Sequence, residues 1–232
     1  MRRVLVLAAA CGAAAVAAGA AGATNECRGL NPCVPVAGPW VVVPIGRSVP
    51  RPQVEYQLAC PRGYVVGGID AELTDPAIDL AFLGKSGSPV NPGITTSRTI
   101  VFAAIYVGTS ASSASFRPHI GCVPASGGGQ RTPTAHHAFA PGKPVMRRVV
   151  QLGVRPGKTR LYVGRCARNE RLVAATHAVG FYGDTPPTVS LARAVTVAQR
   201  IRAGHAELKI RASHAIAGTR TVVQLDLLCV AR

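Results

Sequence analysis

Apolar and polar residues alternate one by one through Val54-Glu55-Tyr56-Gln57-Leu58-Ala59-Cys60, the period-two pattern of a strand with one buried face, and Cys60 falls on the buried side. Phe116-Arg117-Pro118-His119-Ile120-Gly121-Cys122 repeats the pattern, with Phe116, Ile120 and Cys122 inward. Thr99 through Val107 is a continuous apolar run, which fits a strand buried on both faces, and Tyr64 through Leu73 predicts another strand that carries Gly67-Gly68. Further along, strands are expected at Arg160–Cys166, Leu172–Phe181, Ala206–Ala212 and Thr221–Val230. Alternation is clearest at Ala206-Glu207-Leu208-Lys209-Ile210-Arg211-Ala212 and Val223-Gln224-Leu225-Asp226-Leu227. Val195 and Val197 place one more strand in Arg193–Arg202, where the earlier part of the chain is read as loop. Short strands, frequent turn residues and few amphipathic windows of helical length predict an all-β sandwich.

The cysteines give this pattern a period. Cys60 and Cys122 enclose 61 residues and Cys166 and Cys229 enclose 62, and Thr99–Cys122 aligns with Ala206–Cys229 without a gap. Pro39-Trp40-Val41-Val42-Val43 before Cys60 is matched with Val145–Val150 before Cys166. The reading is a tandem duplication. Boundaries follow: a signal peptide over 1–23, a cysteine-ringed lead-in over 24–38, repeat one over 39–125, a Gly/Pro-rich linker over 126–143 and repeat two over 144–232.

Residues 1–23 have the three parts of an export signal: Arg2-Arg3, an apolar run and the small-residue end Ala21-Gly22-Ala23. No other stretch reaches the roughly 20 continuous apolar residues of a spanning helix, so no membrane span is expected after cleavage. Cys11 goes with the signal, and six cysteines remain in a chain bound for an oxidising compartment, which favours bridges over metal binding. Six cysteines allow 15 pairings. Duplication selects Cys60–Cys122 and Cys166–Cys229, leaving Cys27 with Cys33, and no thiol is left to act as a nucleophile.

The Cys60-Pro61-Arg62-Gly63-Tyr64-Val65-Val66-Gly67-Gly68 stretch, followed about 60 residues on by an alternating strand ending in Cys122, resembles the small cysteine-bridged, immunoglobulin-like sandwich repeats of secreted actinobacterial proteins. Repeat two keeps the cysteines but has Ala167-Arg168-Asn169 for Pro61-Arg62-Gly63 and Ala174-Ala175 near the double glycine. The resemblance implies an extracellular binding or cell-envelope role and names no ligand.

Charge separates the repeats. Residues 25–125 carry 7 Lys/Arg against 6 Asp/Glu, so +1, while 126–232 carry 17 against 4, so +13. A domain so charged attracts anionic polymers. The competing source is composition, because 22 of the 26 basic residues are Arg, as the codon bias of a GC-rich genome would produce. The candidate contact residues are Arg147, Arg148, Arg155, Lys158, Arg160, Arg165, Arg168 and Arg171, and aromatic residues among them are too few for a single-stranded nucleic-acid platform. No specific nucleic acid is expected as a partner. Asp70, Glu72, Asp75 and Asp79 form the densest acidic cluster but fit no calcium-loop spacing. His136-His137 and the other histidines match no metal motif, and no G-x-S-x-G elbow or phosphate-cradling glycine pattern occurs. Trp40 and His177 are read as packing residues. The expected function is therefore non-enzymatic, without cofactor or metal. It is a secreted or envelope binding or structural protein whose partner is an anionic envelope polymer or an extracellular protein. The alternative is a secreted hydrolase or inhibitor with a loop-borne site.

Overall fold

The computed structural model of the chain describes residues 24–46, 49–84, 97–109, 113–125, 145–202 and 204–232. The signal segment 1–23, the linker 126–143 with His136-His137, and the loop Ser86–Gly93 lie outside the described residues. In chain order the strands are β1 Val34–Ala37, β2 Trp40–Val43, β3 Gln53–Ala59, β4 Tyr64–Leu73, β5 Ile78–Leu83, β6 Thr99–Tyr106, β7 Ala114–Pro124, β8 Val145–Val154, β9 Thr159–Arg165, β10 Glu170–Phe181, β11 Val195–Arg202, β12 His205–Ala212 and β13 Thr221–Ala231. One short helix, α1 Val189–Arg193, and a 3-10 turn at His214–Ile216 are the only helical pieces among the described residues.

The protein is a sandwich-like, nearly all-β structure. Its central sheet runs β1-β7-β2-β10-β13-β8, with β4 on the other side of β7. Two three-stranded sheets, β3-β6-β5 and β11-β12-β9, cover it. Each closes its own core: Phe102, Phe116, Ile120, Tyr56 and Val66 in the first half, and Leu208, Ile210, Val223, Leu225 and Leu227 in the second. In the first core Phe102 lies between Phe82, edge-on at 5.4 Å, and Phe116, stacked at 6.3 Å. Disulfides Cys60–Cys122 and Cys166–Cys229 tie the small sheets to the central one, with Cα separations of 5.7 and 5.8 Å, and Cys27–Cys33 closes the lead-in.

Two of the alternating segments, in β3 and β12, became the half-buried strands they predict, with Val54, Tyr56, Leu58 and Cys60 inward in the first; in β7 and β13 both faces are covered, and the polar positions His119, Gln224 and Asp226 are buried as well. In β6, Ile100 through Ala104 are all buried, as a strand with two covered faces requires. Two segments differ from expectation. Ile78–Leu83, where no strand was expected, is β5, which pairs with β6 as β11 pairs with β12. Its Ile78, Leu80 and Phe82 supply the inward face. Lead-in residues Val34–Ala37 form β1, which pairs along β7 from Cys122 to His119, ahead of β2 on the same edge.

Strand pairing in the two halves corresponds in register. Val66 pairs with Cys122 and Leu172 with Cys229, and each ladder then skips one residue before resuming at Gly68 and Ala174. By this correspondence β10 takes the place of β4, β13 of β7, and β8 of β1 with β2.

The halves are joined by the sheet itself. Trp40 pairs with Phe181 and Val41 with Gly180, so β2 belongs to both halves. A side chain on Gly180 would meet Pro39 Cγ at 2.6 Å, so glycine lets the two backbones approach. Beside this seam the outer face of β13 packs on the edge of β3. The Gln224 amide accepts from the Gln57 N–H at 2.6 Å and donates to the Gln57 carbonyl at 3.0 Å, standing in for a neighbouring strand.

Candidate anion-binding surface

The eight basic residues singled out from sequence do not share one face. Arg147 is buried at the seam, where it donates to Glu55 of the first half at 2.6 Å and pairs with Asp226 of the second. Burial works against the Arg147 cation, but the two carboxylates outweigh it and hold the guanidinium above its ordinary range. Asp226 is held above the usual carboxylate range, chiefly by burial, with Arg147 opposing and Glu55 reinforcing the shift. Arg148 forms a two-pronged pair with Glu170 at 2.8 and 2.7 Å, and this bonding lowers the Glu170 carboxyl. Both arginines are neutralised within the chain.

The other six are exposed and fall at opposite ends of β9. Arg155, Lys158 and Arg160 stand at its start, while Arg165 is its last residue and Arg168 and Arg171 follow it, near the Cys166–Cys229 bridge. Five residue steps from Arg160 to Arg165 separate the groups by roughly 17 Å. Arg165 shares the outer face of its sheet with Arg200, Arg202, Lys209 and Arg211, against one acid, Glu207. Glu207 is paired with His205 at 3.1 Å and Arg202 at 3.6 Å, and the His205 hydrogen bond is the first cause of its lowered pKa.

The basic groups become concave at the β8–β9 turn. Gly157, at φ +66°, closes that turn, so Arg155 and Lys158 project beside Arg160. A depression of about 370 Å³ lies between these three side chains, Val154 and Ile210. An adjoining one of about 480 Å³ shares Arg155 and Arg160 and extends to Gln151, Arg220 and Val222. Arg220 stacks over the Tyr182 ring at 4.3 Å, which fixes the guanidinium plane at the rim. Arg160 reaches the Gly153 carbonyl at 3.5 Å, and none of the four cations has a carboxylate partner among the described residues. Neither depression is lined by a carboxylate, histidine, serine or cysteine. The arrangement sets four cations around an apolar floor formed by Val154 and Ile210.

Arg220 was not among the sequence candidates, because it stands 60 residues after Arg160. Its neighbour Thr221 pairs with Val154, and only that register brings it to the turn. The face formed with Arg165 does have a sequence signal, the spacing of two in Arg200-x-Arg202 and Lys209-x-Arg211.

Three of the four acidic candidates and His177 are held by contacts within the fold, while Asp79 is exposed on β5. Asp70 accepts from the Asn25 N–H at 2.6 Å, Glu72 reaches His119 Nε2 at 2.9 Å, and Asp75 accepts from Ala77 N–H at 2.8 Å and Tyr106 O–H at 3.3 Å. His177 bonds Gln199 at 2.7 Å, linking β10 to β11. The one cluster of metal-type ligands among the described residues is Cys166, Glu170 and Cys229, whose sulfurs are committed to a disulfide. No helix among the described residues is long and apolar enough to cross a membrane. No protein-family model, curated protein or solved structure matches the chain.

Proposed function

We propose that the chain is an extracellular or cell-envelope binding protein, built as two tandem immunoglobulin-like sandwiches, that holds an anionic polymer in the groove at the β8–β9 turn. The observation that carries this reading is the set Arg155, Lys158, Arg160 and Arg220 around two adjoining depressions without a carboxylate among them. Matching registers and intersheet bridges support the tandem reading. Three disulfides support an oxidising destination. The acceptor is a chain of repeated negative groups, since one continuous groove with shared central cations suits a ligand longer than a single ion. Binding is electrostatic, with the Tyr182-braced Arg220 and the Val154–Ile210 floor setting orientation.

The test is co-sedimentation or titration of the oxidised chain with polyphosphate and with polygalacturonate across a salt series. Affinity falls steeply with salt, and the triple substitution Arg155→Ser, Arg160→Ser, Arg220→Ser lowers the log–log salt slope by roughly one per cation removed. Salt-indifferent binding, or a slope unchanged by the triple substitution, overturns the reading. Comparison of the two probes separates phosphate from carboxylate preference.

A further inference from the structure

The second half ends in a sheet edge that has no partner strand among the described residues. β8 pairs with β13 from Val145 to Val154, and no strand pairs with its other side among the described residues. In the first half the corresponding edge, β2, is where the chain adds β10 to its own sheet. Four other edges are guarded. Gln224 caps β3, the Ser97 carbonyl takes the Val66 N–H of β4, and exposed arginines stud β9 and β11. The only charges on β8 are Arg147 and Arg148, and both are turned into internal ion pairs, so the edge carries no free charge to repel another strand.

We propose that β8 pairs with β8 of a second copy of this chain, antiparallel across a two-fold axis, so that the central sheet runs through a dimer. A second copy has two ways to reach this edge. The head-to-tail way would bring its β4, the counterpart of β10. There the matching outer face is already covered, because a side chain at Gly68 or Gly121 would fall on the Glu26 carbonyl of the lead-in. The two-fold way meets no such cover and closes on itself.

Facing residues in an antiparallel pair share a face, so the in-phase registers centre on Val149 or on Val150. In the first, Arg147 faces Gln151 and Arg148 faces Val150; in the second they face Gly153 and Leu152. No like charges are opposed in either. Antiparallel pairing leaves the Gly153 ends of the two β8 strands roughly 20–27 Å apart, at opposite ends of the join.

Each copy carries +13 over residues 126–232, so the copies repel and screening favours the pair. Sedimentation equilibrium of the oxidised chain therefore shows a monomer–dimer equilibrium that shifts toward dimer as salt rises, the reverse of the salt effect on polymer binding. Val149→Lys places two added charges at or beside the two-fold and raises the dissociation constant at least roughly fivefold. Hydrogen exchange on the unmodified chain provides an independent reading: β8 amides slow with protein concentration, while those of β11 do not. A monomer at every concentration, a species larger than a dimer, or a dimer without concentration-dependent β8 protection overturns the proposal. If Val149→Lys fails to fold, the exchange measurement alone decides.

Discussion

Arg147→Ala takes the cation from a site where the side chains of Arg147, Asp226 and Glu55 are 5%, 4% and 14% exposed. Two carboxylates are left at the seam without their partner, which costs about 3–5 kcal/mol. Against a whole-domain stability of about 5–15 kcal/mol, that is a large fraction. The loss depends on pH with a definite sign. Burial already holds the Asp226 carboxyl above its ordinary value, so the folded state binds that proton more tightly than the unfolded chain does. Its contribution is greatest below the unfolded value near 4 and is lost as pH rises through the raised folded value. Removing Arg147 removes a lowering influence and extends this window upward. The variant is therefore less destabilised in mild acid than at neutrality, with a slope of at most about 1.4 kcal/mol per pH unit. Urea unfolding with disulfides intact, at neutral pH and at mildly acidic pH, measures both effects. A companion pair, Arg147→Met with Asp226→Leu, leaves one carboxylate rather than two and recovers much of the loss. A loss under about 1 kcal/mol at neutrality, or an equal loss at both pH values, would refute the ion-pair account and return Arg147 to the ligand-contact candidates.

Two further outcomes follow from the packing. Replacing Cys166 and Cys229 by Ala opens a bridge between residues 63 apart in sequence and costs about 4 kcal/mol in the chain-entropy treatment, read as a lower denaturant midpoint. Gly68→Ala pushes the lead-in off the sheet, because the added carbon would fall on the Glu26 carbonyl; limited proteolysis then cuts near residues 25–33 faster than in the unmodified chain, while the second half keeps its resistance.

The strands were legible where burial is one-sided or complete. Alternation marks β3 and β12 because each sets one row of side chains into a core, and it marks β7 and β13 because their second, polar row is buried against Glu26 of the lead-in and against β3; the uninterrupted run of β6 reflects two covered faces. β5 has its own alternation, Ile78, Leu80 and Phe82, but Asp75 and Asp79 make the segment read as part of an acidic cluster rather than as a strand. β1 was hidden because Gly38-Pro39 interrupts the edge that β8 runs as one strand, so the lead-in looked separate from what followed. Clustering of basic residues along the chain was a poor guide to their clustering in space. Neighbours Arg147 and Arg148 point to opposite faces, and each meets a carboxylate distant in sequence. Arg220 joins the groove only through the β8–β13 register. The seam had no sequence signal at all, since Gln57 and Gln224 are polar residues on predicted strands and nothing in their spacing says that one caps the other.

The sole tryptophan of the chain, Trp40, sits at that seam, buried to 4% exposure and paired with Phe181 of the other half. Its fluorescence is therefore an optical signal of docking rather than of either core alone. Removal of the second half takes away the β10 partner of Trp40, so a red shift of its emission relative to the whole chain is the expected optical mark of an undocked seam.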